Sequence, residues 1–144
     1  MLVKHKKLFM VLSLSLLCIV GCIGIAKITS KYSEGQSPIR GLQITIAVHQ
    51  REELFTRLRT FAEKHDFEFH LDFYDGDKKI FLVAMYREDI KILAVDVTNA
   101  PTVIELDFYE RDPANPTPTD TVDALFGDLK SFISEIPNVT ISEK

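Results

Sequence analysis

With 144 residues, 17 Lys/Arg, 21 Asp/Glu and a net charge of −4, the chain can fill one modest core. The charge is uneven: residues 1–40 hold six Lys/Arg and one Glu, whereas 41–144 hold 11 Lys/Arg and 20 Asp/Glu. So acidic a C-terminal part offers no cationic footprint for nucleic acid, is repelled by anionic headgroups, and favours neutral or cationic partners.

The N-terminus starts with Lys4, Lys6 and Lys7, followed by an uncharged stretch from Leu8 to Ala26. Near its end stands Ile19-Val20-Gly21-Cys22, an apolar-apolar-small-Cys tetrad behind a basic head and an apolar core. This tetrad resembles the lipobox of small bacterial lipoproteins, and the resemblance covers only about the first 22 residues. It implies that Cys22 receives a diacylglycerol thioether and becomes the first residue after cleavage. The alternative is an uncleaved transmembrane helix: at 1.5 Å per residue, Leu8–Ala26 extends roughly 28 Å, close to a bilayer's hydrocarbon thickness. Either way residues 1–26 act as signal peptide or anchor. The basic head then marks the cytoplasmic side and places the rest of the chain in the periplasm or on the cell surface. Both cysteines, Cys18 and Cys22, lie in this stretch. A disulfide framework and any Cys-based zinc or redox site are therefore excluded from the remainder.

Residues 27–41, with Ser30, Ser33, Gly35, Ser37 and Pro38, read as a short polar linker, leaving 42–144 as one globular domain. Leu42–Val48 alternates and is rich in β-formers, so a strand is expected. From Arg51 to His65 the period becomes helical, with Leu54, Phe55, Leu58, Phe61 and Ala62 forming one stripe. Phe67–Tyr74 alternates strictly, and Asp75-Gly76-Asp77 after it signals a hairpin into a strand over Ile80–Arg87. Glu88-Asp89 turns the chain into Ile90–Val97, and Asn99-Ala100-Pro101 into Val103–Tyr109. Asp112–Pro118 is a proline-rich loop that cannot join a ladder. Thr119 or Asp120 offers an N-cap, and Val122, Leu125, Phe126, Leu129, Phe132 and Ile133 form a second apolar stripe ending before Pro137. Asn138–Ser142 supplies a last strand. The order β-α-β-β-β-β-α-β predicts an α+β fold, a mainly antiparallel sheet with both helices on one face. It is similar to a ferredoxin-like βαββαβ plan with two extra central strands.

An even-length turn at Gly76 would put Ile80, Leu82, Ala84 and Tyr86 under the helices. Phe81, Val83, Met85, Ile92 and Ala94 would then form an apolar strip on the open face, bordered by Glu68, His70 and Asp72. Such a strip is expected to dock another envelope protein or a second copy of the chain. His70 and Asp72 share a strand face and are the candidate metal ligands; they are too few to define a site. Glu105, Asp107, Glu110 and Asp112 form an acidic run that reads as solvated charge. His65 closes a helix, and His49 belongs to a helix-entry turn. There is no Gly-rich phosphate loop, Gly-x-Ser-x-Gly, His-Glu-x-x-His or Cys-x-x-Cys, so no cofactor and no catalytic residue is expected. The chain thus reads as a membrane-tethered, non-enzymatic envelope domain that binds a partner or plays a structural part. The alternative is a small hydrolase or metal-binding protein using His70, Asp72 and the carboxylates from Glu105 onward.

Overall fold

A computed structural model describes residues 35–73, 81–97 and 102–144. The apolar N-terminal segment, Cys22, most of the 27–41 linker and the expected turns at 75–77 and 99–101 lie outside the described residues. The compact unit runs from Gln36 to Lys144. Among the described residues no helix is long and apolar enough to cross a membrane.

The elements follow the expected order. Strand β1 (Arg40–Ile46) leads through a short 3-10 turn into helix α1 (Arg51–Lys64). Strands β2 (Glu68–Phe73), β3 (Phe81–Tyr86), β4 (Ile90–Asp96) and β5 (Thr102–Glu110) form a meander. Helix α2 (Thr119–Ser134) and strand β6 (Thr140–Glu143) complete the chain. The single six-stranded sheet has the order β2-β3-β4-β5-β1-β6, with every neighbouring pair antiparallel.

Local chemistry accounts for the element ends. α1 stops in a Schellman-type turn: Asp66 adopts a left-handed φ of 58°, and the Phe67 amide donates to the Ala62 carbonyl at 2.8 Å. α2 opens at Thr119 behind Pro118 and has no side-chain cap, so neither Thr119 nor Asp120 caps it. The Pro118 carbonyl accepts from the Thr121 and Val122 amides and starts the helical ladder. The proline-rich loop between β5 and α2 is pinned at both ends. Asp112 accepts from the Ala114 amide and Asn115 Nδ2, and Glu110 accepts from the Thr117 amide and hydroxyl.

Both helices press their stripes into one core. Phe55 of α1 meets Phe81 of β3 edge-on at 4.8 Å, and Phe126 of α2 meets Phe108 of β5 at 5.6 Å. Phe61 lies between Phe67 and Phe132 and joins the two helices. Side chains of this size contribute about 1.5–3 kcal/mol each when fully buried.

This packing overturns the expected faces. Phe81, Val83, Met85 and Ile92 are each fully buried and belong to the helix-covered core, together with Ala94. The cause is register. Phe69 pairs with Met85 and Leu71 with Val83, so odd positions of β2 stand beside odd positions of β3. An even-length turn would have matched odd with even. The Glu88-Asp89 turn does behave as expected, with the Arg87 amide donating to the Ile90 carbonyl at 2.9 Å. It sets Ile92 beside Met85, and the whole strip therefore faces the helices.

Candidate functional site on the second sheet face

The face opposite the helices is built from the alternate residues of the same strands. One row runs His70, Ala84, Leu93, Asp107, Gly41 across β2, β3, β4, β5 and β1. The next row runs Asp72, Leu82, Val95, Glu105, Gln43. In the two central strands this face is apolar and buried: Leu82, Ala84, Leu93 and Val95 are 0–3% exposed. Both helices pack on the other side, and these four residues form no part of the helix-covered core. β3 and β4 therefore bury apolar side chains on both faces.

Around that apolar centre lie buried polar groups. Lys91 is buried with its ammonium 5.8 Å from the ring centroid of Tyr109. Tyr109 is itself buried, and its phenol is pushed up to about 12 by burial first, then by the charges of Asp107 and Glu105. Burial also raises Asp107 above the ordinary carboxylate range, against the opposing pull of Lys144, which lies 2.7 Å away.

At the β2 border His70 Nε2 lies 3.0 Å from Glu68 Oε1, and its ring packs edge-on to Tyr86. His70 and Asp72 share this face, as the alternation predicts, but among the described residues no three His, Cys, Asp or Glu side chains converge as metal ligands. The acidic run is divided by the sheet. Glu105 and Asp107 lie on the second face against Lys144, whereas Glu110 pairs across from Ile90 on the helix side and holds Thr117. Asp112 is spent on its own turn. The four carboxylates form no joint site. His49 is exposed in the helix-entry turn, as its position suggested.

A groove of about 740 Å³ runs beside α2, lined among others by His65, Arg87, Asp123 and Asp128. Most of its charges are already matched: Asp128 accepts from Lys64 at 2.7 Å and lies 2.6 Å from His65, Asp123 meets Arg40, and Arg87 grips Asp89 through two nitrogens. Sequence reasoning placed His65 at a helix end but gave no sign of Asp128, which comes from the other helix.

No protein-family model matches the chain, and no curated protein sequence matches it.

Proposed function

We propose that the chain is a membrane-tethered envelope domain acting as a protein-interaction or structural module on the extracytoplasmic side. Its N-terminal Ile19-Val20-Gly21-Cys22 resembles a lipobox, with Cys22 the lipidated residue. An uncleaved helix over Leu8–Ala26 would give the same placement. The fold is read as a ferredoxin-like variant. β1-α1-β2 and β5-α2-β6 are its two split crossovers, and the β3-β4-β5 meander takes the place of one central strand.

The observation that supports an interaction role is the two-sided apolar character of β3 and β4. A sheet with one solvated face reads apolar-in, polar-out. Here Leu82, Ala84, Leu93 and Val95 make the second face apolar as well, while the helices serve only the first. The centre of that face is already shielded within the chain, so a partner, another envelope protein or a second copy of this chain, would meet it at its polar border, where His70 and Asp72 are exposed.

Site-directed photo-cross-linking in intact cells tests this reading. A photoreactive residue in place of His70, half-exposed at the border of the second face, is expected to give an adduct heavier than the single chain. The same probe at Glu52, exposed on α1, is expected to give none. The mass of the adduct separates a second copy from a different protein. Cross-links confined to the probe's own chain, or equal capture from both positions, would overturn the interaction reading.

A further inference from the structure

Strand β6 is short, stands at the edge of the sheet and is mostly exposed, with only Ile141 half-buried against the core. Its ladder to β1 comprises the pairs Leu42–Glu143, Gln43–Ser142, Ile44–Ile141 and Thr45–Thr140. Directly after it, the Lys144 amide donates to the Gly41 carbonyl at 3.0 Å, so Lys144 continues the ladder opposite Gly41. Gly41 in turn pairs with Asp107 of β5. Lys144, Gly41 and Asp107 thus form one row on the second face, with the glycine in the middle.

Lys144 and Asp107 belong to strand positions separated by β1, about 9.5 Å apart at the spacing of paired strands. Yet Lys144 Nζ lies 2.7 Å from Asp107 Oδ1 and 3.4 Å from Glu105 Oε2. The side chain reaches across β1 because position 41 carries none. A Cβ there would lie 2.5 Å from Asp107 Oδ1 and 2.6 Å from Lys144 Cε, closer than real Cβ contacts allow. On the helix side β6 has one further side-chain hold, from Lys130 Nζ to Glu143 Oε1 at 2.7 Å.

We propose that Lys144 is a clip, seated in the gap left by Gly41, that holds β6 on the sheet and makes it a detachable edge strand. With so little apolar burial of its own, β6 opens as a unit separate from the core, and the clip sets how often it does so. Opening frees the outer ladder groups of β1 from Leu42 to Thr45, a sheet edge that is otherwise closed.

Hydrogen exchange followed by mass spectrometry on the full chain in detergent micelles tests the device. In wild type, amides of 140–143 are expected to exchange at least about tenfold faster than those of β4, because opening of β6 does not require global unfolding. Lys144→Met keeps the aliphatic stem, removes the charge, and should speed exchange of 140–143 several-fold while leaving β3 and β4 unchanged. Gly41→Ala should do the same by displacing the lysine. The double variant should add nothing beyond either single one, because both act through one contact. If Gly41→Ala fails to fold, Lys144→Met alone still decides. Unchanged exchange of 140–143 in Lys144→Met, or acceleration spread evenly over the sheet, would overturn the proposal.

Discussion

Arg51, in the first turn of α1, holds the carboxylate of Asp96, which is completely buried at the end of β4 on the helix side of the sheet. The guanidinium also lies 5.8 Å from the Phe81 ring centroid, so one side chain ties the start of α1 to two central strands. A buried charge is costly to leave without its counter-charge, and breaking such a pair from one side costs about 3–5 kcal/mol. Arg51→Met is therefore expected to lower unfolding free energy by that amount, a large share of the roughly 5–15 kcal/mol typical of a domain. The double variant Arg51→Met, Asp96→Leu should recover most of the loss. Denaturant unfolding of wild type and the two variants checks this; a double variant as unstable as the single one would contradict it.

Met85 tests the corrected face. Fully buried between Phe69 and Ile92, it should cost about 2–5 kcal/mol when truncated to Ala. Val83→Asp, which places a charge under the helices, should prevent folding. A soluble Val83→Asp domain with native circular dichroism would return that residue to the surface.

Element order was legible in the sequence, but the faces were not. Arg51–Lys64 and Thr119–Ser134 each carry one clean apolar stripe, and β2 alternates, so their type and their inward residues could be read directly. β3 and β4 read Phe-Leu-Val-Ala-Met-Tyr and Ile-Lys-Ile-Leu-Ala-Val-Asp and are almost wholly buried on both sides. Hydrophobicity therefore could not say which residues meet the helices, and the choice fell to the parity of the connection over 74–80. Asp75-Gly76 suggested a two-residue turn; the ladder instead begins with Phe73 opposite Phe81. The Lys144–Asp107 and Arg51–Asp96 pairs were invisible for a different reason. The first needs β1 inserted between β5 and β6, and the second needs α1 packed over β4, and neither placement is written in local periodicity.

Gly127 offers the opposite case to Gly41. It sits within α2, and a Cβ there would meet nothing within 4 Å. Gly127→Ala should therefore raise stability by about 0.5–1 kcal/mol through reduced backbone entropy of the unfolded chain and better helix propensity. Thermal unfolding checks it; a fall in melting temperature would mean the groove beside α2 is less open than described.

Tyr109 carries the pH prediction. Burial, then Asp107 and Glu105, push its phenol to about 12 from an ordinary value of 10.0. The folded state therefore keeps this proton longer than the unfolded chain does. Stability is fully present below about pH 10 and is lost as pH rises toward 12. Absorbance titration should show one of the four tyrosines ionising late, and Tyr109→Phe should remove that late step and flatten the alkaline loss of stability. All tyrosines ionising together near pH 10 would contradict the buried position.

The proposed tether would decide the compartment, and intact-mass measurement on membrane fractions tests it most directly. If Cys22 is lipidated, wild type should lack residues 1–21 and carry acyl chains, while Cys22→Ser accumulates as the full-length precursor. A full-length, lipid-free wild-type mass would contradict the lipoprotein reading and leave the uncleaved helix as the anchor.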